Sequence, residues 1–261
     1  MRRELHAEWT KLRTLAGTGW LLLALVTLTV ALSALSALAT TAATCPSAGC
    51  EQDPTRISLT GVQLGQAVVA MLAVLAINDE YATGMIRTTL VAMPRRATVL
   101  AAKTGLLAGL TLAAGTVAVL ASVLAGRLIL PGNGFTPAHG YPPLSLTDGP
   151  TLRAAAGSVL YLMLIALLSL GVATAVRDSA TAIGGVLGLL YLFPVVILMV
   201  PDLDWQRRLW QISPMNAGLA IQATVDLPSL PLSPWAGLGV LAAWAAAALL
   251  TGGLLLRLRD A

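Results

Sequence analysis

Apolar residues fill six long stretches of the chain, each without a single Asp, Glu, Lys or Arg. They lie between Arg13 and Glu51, Arg56 and Asp79, Lys103 and Arg127, Arg153 and Arg177, Asp178 and Asp202, and Asp226 and Arg257. Every stretch reaches the roughly 20 residues of helix that a bilayer's hydrocarbon core requires. The pattern predicts an all-α membrane protein, a single domain over 1–261, with transmembrane helices at about 18–42, 58–77, 104–126, 154–176, 180–200 and 235–256. Barrel strands would alternate apolar with polar over only about 10 residues, so helices remain as the way to satisfy the backbone in lipid. The first stretch exceeds the roughly 7–15 residues of a signal-peptide core and lacks a convincing cleavage site, so it is expected to stay as a span.

Polar flanks set the orientation. With six spans and the N-terminus inside, the cytoplasmic segments hold Arg2, Arg3, Lys11, Arg13, Arg87, Arg95, Arg96, Lys103, Arg177, Arg257 and Arg259, while Arg56, Arg127, Arg153, Arg207 and Arg208 fall outside. This asymmetry favours both termini in the cytoplasm under the positive-inside rule. Composition agrees: 57% of residues are hydrophobic and 11% charged, against about 25% charged in an ordinary soluble domain. The formal net charge of +4 follows from topology and calls for no nucleic-acid partner.

Between the spans, several segments carry their own pattern. In 1–16, Leu5, Trp9, Leu12 and Leu15 form one apolar stripe beside Arg2, Arg3, Glu4, Glu8, Lys11 and Arg13, which predicts a helix lying in the membrane interface. The only two cysteines, Cys45 and Cys50, share one outer loop and predict a local disulfide. Gly61 with Gly65, Gly105 with Gly109, and Gly184 with Gly188 are spaced four apart, as in closely packed membrane helices.

The segment 78–98 is the longest polar interruption assigned to the cytoplasm. It opens with Asp79 and Glu80, repeats Tyr81, Met85 and Thr89 at helical spacing beside Ile86 and Leu90, and stops before Pro94, with Arg95, Arg96 and Lys103 beyond. A topology anchor needs fewer residues. Two helical turns with exposed Met and Ile want a protein partner or the membrane surface.

On the outer side, 132–153 is broken by Pro and Gly, and its His139 and Asp148 have nothing near them to complete a catalytic or metal set. Arg177 and Asp178 make a tight inner turn, and Pro194 is expected to kink the fifth span. In 202–234, Trp205, Leu209 and Ile212 share a face opposite Arg207, Arg208 and Gln211, with Trp210 and Pro214 following. That predicts short helices in the outer interface, anchored by the two tryptophans.

Chemistry is absent where it would be expected of an engine. The chain has no phosphate loop, no zinc-protease or serine-hydrolase motif, and no Asp, Glu, Lys or Arg near a span centre, which disfavours ion-coupled pumps and membrane enzymes.

The order of an interfacial segment with EWTKLRT, six spans, EYATGMIRTTL followed by PRR and AAK after span two, and ISPMNAG before the last span resembles the permease subunit of type-2 ABC transporters, particularly those of actinobacteria. The resemblance covers essentially the full chain. It implies a multi-pass protein of the cell membrane, paired with a second permease copy and with two copies of a separate ATPase subunit that binds ATP and Mg. This chain itself would hold no cofactor and no catalytic residue.

The resemblance further implies a coupling helix in which Glu80, Tyr81, Gly84, Met85, Ile86, Arg87 and Thr88 contact the ATPase. Beside it would lie a connecting helix through Glu8, Trp9, Lys11, Leu12 and Arg13. A re-entrant outer segment containing Trp205, Leu209, Trp210 and Pro214 would cap the translocation path. Export of a lipid, peptide or lipophilic antibiotic is the implied activity, and antibiotic resistance a common role in the group. The alternatives are a membrane immunity or binding protein that does not transport, and an integral-membrane enzyme using His139 and Asp148.

Overall fold

A computed structural model describes residues 16–42, 52–82, 96–141 and 143–258, and within these all regular structure is helical. Among the described residues, five helices are long and apolar enough to cross a membrane. In chain order the helices are α1 (Ala16–Ala39), α2 (Pro54–Ser58), α3 (Val62–Ala82), α4 (Arg96–Ile129), α5 (Gly149–Val176), α6 (Ser179–Leu198), α7 (Leu203–Ile212), α8 (Pro214–Leu219) and α9 (Pro234–Leu258). Successive long helices run antiparallel. One end of the bundle gathers the long connections 130–148 and 199–233 (the loop end), and the other has the short Arg177–Asp178 connection (the turn end).

The helix bounds depart from the sequence pattern in instructive ways. The second span was expected from 58, but Asp53 begins a separate turn there. Its Oδ1 accepts the N–H groups of Thr55 and Arg56, Pro54 occupies the first helical position, and α2 closes at Ser58 before α3 starts at Val62. The apolar part of α3, Val62–Asn78, is shorter than the five full-length spans. The third span was expected from 104, yet α4 begins at Arg96 and has 34 residues. Such a helix is about 50 Å long, well beyond the roughly 30 Å of the hydrocarbon core. Pro194 is accommodated by a π-helical turn, Gly188–Leu192, closed by the Phe193 N–H on the Gly188 carbonyl. The wider turn removes the need for the N–H that proline lacks.

Packing is organised around α5, the most buried span, while α1, α6 and α9 leave most of their lengths uncovered. On α1, Leu25, Thr29, Ser33 and Ala37 recur every fourth residue and are all fully or almost fully buried, whereas Trp20, Leu23, Leu28, Leu35 and Leu38 face outward. That seam receives Gly61 and Gly65. A Cβ on Gly61 would fall 1.9 Å from the Thr29 carbonyl oxygen, and the Gly61 N–H donates to Ser33 Oγ at 3.0 Å. The pair therefore packs as its spacing predicts.

The other two glycine pairs do not. Nothing lies within 4 Å of a Cβ built on Gly105, Gly109 or Gly184, and Gly188 meets only Leu192 of its own helix. Other tight glycine contacts among the described residues include Gly157 against Ile221, Gly171 against the Ala248–Leu249 backbone, and Gly237 against the Ala217 carbonyl. Buried hydroxyls of Thr111, Ser169 and Thr174 donate to the carbonyl four residues back, which satisfies them without a partner helix.

Candidate functional site

The turn end is where the sequence places the coupling segment. Glu80 and Tyr81 occupy the last turn of α3. Gly84, Met85, Ile86, Arg87 and Thr88 lie outside the described residues, as do Glu8, Trp9, Lys11, Leu12, Arg13, Cys45 and Cys50.

Two groups flank this region. Lys103, read from sequence as a surface charge, is 7% exposed and sits about two turns inside α4, with Nζ donating to the Ala76 carbonyl of α3 at 3.2 Å. Its flexible stem lets a cation buried on the helix reach a backbone acceptor. Asn78, 1% exposed, has neither carboxamide atom hydrogen-bonded. In the neighbouring connection, hydrogen bonds from Thr181, side chain first and then its N–H at 2.8 Å, hold the Asp178 carboxyl below its ordinary pKa and start α6.

At the loop end, the segment 199–233 turns back into the bundle. Asp202 caps α7 by accepting the N–H groups of Asp204 and Trp205. The amphipathic helix that follows leaves Leu203, Trp205 and Ile212 exposed, with the Arg208 guanidinium 5.7 Å from the Trp205 ring centre. Leu209 and Trp210 are half-buried, and Pro214 is buried at the first turn of α8, capped by Ser213. From there α8 descends among the spans. Gly218 lies against Tyr161 of α5 and Leu241 of α9, and Ile221 fills the notch at Gly157. The chain leaves by Gln222, whose Nε2 donates to Ser158 Oγ at 3.0 Å, and by Ala223, whose carbonyl accepts from Arg153 at 2.6 Å. Asp53 then fastens the exit, its carboxylate accepting the N–H and hydroxyl of Thr224 and the N–H of Val225.

Beneath this inserted helix lies a polar hub that the sequence reading missed. Gln66 of α3 is fully buried. Its Oε1 accepts the Tyr161 hydroxyl, and its Nε2 donates to Met215 Sδ at 3.4 Å. One turn earlier on α3 the Gln63 carbonyl accepts the Tyr191 hydroxyl from the π-turn of α6. One buried carboxamide thus joins α3 to α5 and α8, and a second contact joins α3 to α6. Gln66, Tyr161 and Tyr191 are visible in the sequence as polar letters inside apolar runs, but composition does not say that they converge.

A cleft of about 770 Å³ opens at the loop end between 52–55, 139–141, 143–151 and 224–225. It brings His139 and Asp148 into one lining. Among the described residues no group of His, Cys, Asp and Glu could hold a metal ion. The chain matches no known family model, and no curated protein matches it.

Proposed function

We propose that this membrane-embedded chain is the permease subunit of an ATP-driven ABC exporter for a hydrophobic or amphipathic substrate, working as a pair of permeases on two separate ATPase subunits. The observation that carries the reading is the placement of α3. It is one uninterrupted helix whose turn end leads into 83–95, and whose loop-end half carries the Gln66 contacts to Tyr161 and Met215. A push on the turn-end segment would move a rigid rod attached at its far end to the inserted helix α8. The likeness of EYATGMIRTTL to a coupling helix supplies the motor. The rod supplies the transmission.

In this reading Val62–Asn78 of α3 completes a set of six spans, the turn end is cytoplasmic and α8 caps the path from outside. The sparsely covered faces of α1, α6 and α9 are available to lipid and to a second copy. Co-purification tests the motor: Glu80→Lys and Arg87→Glu variants should insert normally but lose the proposed ATPase partner. Variants that hold the ATPase as tightly as the parent would overturn the coupling assignment. Cysteine labelling tests the side. Residues 83–95 should react only from the cytoplasm, and labelling from outside the cell would end the proposal.

A further inference from the structure

We propose that the loop-end cleft is a binding site for a small organic ammonium, a cationic amine on a compact apolar body. Its volume, about 770 Å³, falls within the range of small-molecule sites, roughly 300–1,000 Å³. The walls are largely apolar, with Pro54, Pro143 and Pro150 lacking a backbone N–H and Leu144 and Val225 supplying aliphatic surface.

One polar group carries a full charge, and it lies beside the uncapped first turn of α5, whose Gly149 and Thr151 also line the cleft. Asp148 precedes α5 at its N-cap position but makes no capping hydrogen bond, so its carboxylate is left exposed on the cleft. Gln52 has Oε1 enclosed and without a partner. His139 has Nδ1 engaged by Thr136 Oγ1 at 2.9 Å, leaving Nε2 for the cleft. The buried hydroxyls of Thr55 and Thr151, 3.5 Å apart, close the floor and serve as donor or acceptor.

The nearby Asp53 carboxylate is already filled by its α2 and Thr224–Val225 donors, and the Arg153 guanidinium is turned to the Ala223 carbonyl. One open carboxylate, an unsatisfied amide oxygen and proline-rich walls select a ligand that is positive, rich in N–H groups and partly apolar. An anion would meet Asp148, and a neutral analogue would leave it unpaired.

The site needs no ATPase, so its test is separate from the transport reading. The full-length chain in lipid nanodiscs is titrated with phenethylammonium, 2-phenylethanol and phenylacetate, each followed by saturation-transfer NMR and calorimetry, with empty nanodiscs as the reference for partitioning. Phenethylammonium should bind saturably, and the two analogues at least about tenfold more weakly. Asp148→Asn should cost about tenfold in affinity, as expected for a partly exposed charged hydrogen bond, and Gln52→Leu should cost several-fold. Arg56→Ala, an exposed residue outside the cleft lining, should change nothing. Equal binding of all three compounds, undiminished binding by Asp148→Asn in a folded protein, or no saturable binding of the ammonium would overturn the proposal.

Discussion

Both ends of the Gln66 carboxamide are in use, and a residue so placed is costly to truncate. Gln66→Leu would strand the Tyr161 hydroxyl in the core and free Met215 Sδ. An unsatisfied buried hydroxyl costs about 1–3 kcal/mol, whereas removing both partners is close to neutral. Thermal unfolding in detergent should therefore show Gln66→Leu well below the parent, and Gln66→Leu with Tyr161→Phe recovering much of the loss. Strictly additive losses would mean that the bond contributes nothing. Asn78 is the opposite case, since its buried carboxamide already lacks partners. Asn78→Leu, close in volume, should raise the unfolding midpoint, and a fall would show that the carboxamide is satisfied in solution. Neither role was legible from sequence. Both residues stand out as polar letters in an apolar run, but α3 is apolar on every side, so periodicity cannot say which way Gln66 points or what meets it.

Helix contacts in this bundle depend on which glycines face a neighbour. Gly171 and Gly184 look alike in sequence, each within an apolar helix. A Cβ on Gly171 would stand 2.4 Å from the Ala248 backbone carbon and 2.5 Å from the Leu249 nitrogen, atoms that can yield only if α9 moves off α5. Gly171→Ala should thus destabilise by about 1–3 kcal/mol, the usual cost of overpacking. Gly184→Ala meets open space and should stabilise the isolated chain by about 0.5–1 kcal/mol through helix propensity. Unfolding both variants in the same detergent decides the matter, and a reversal of their order would mean that the α5–α9 seam is not the one described. The long helices themselves were readable, because a charge-free run of sufficient length has few alternatives in lipid. Their ends were less so: capping by Asp53 and a π-turn before Pro194 are local hydrogen-bond solutions that hydropathy averages away.

At the scale of the whole molecule, the proposed exporter requires the inserted helix to move when the turn end is pushed. The connection runs through α3, from Glu80 in its last turn to Gln66 near its first, and on to Met215 of α8. Holding α8 rigidly to α3 and α5 would leave the motor docked and the path shut. Cysteines at Gly157 and Ile221, in direct contact in the fold, place one reactive group on α5 and one on the turn that follows α8, with Cys45 and Cys50 replaced by serine to leave no others. Bridging the pair with a short, cleavable bifunctional thiol reagent should abolish ATP-driven substrate uptake into inverted vesicles while the ATPase still co-purifies, and cleavage of the bridge should restore it. The pairing separates two failures. Loss of the ATPase on bridging would place the coupling contact itself in the loop-end half, which α3's geometry does not support, because Glu80 stands at the opposite end of the helix. Undiminished export through a locked α8 would show that the cap does not gate the path, and the substrate would then have to leave along the uncovered faces of α1, α6 or α9, which the proposed pairing would bring together.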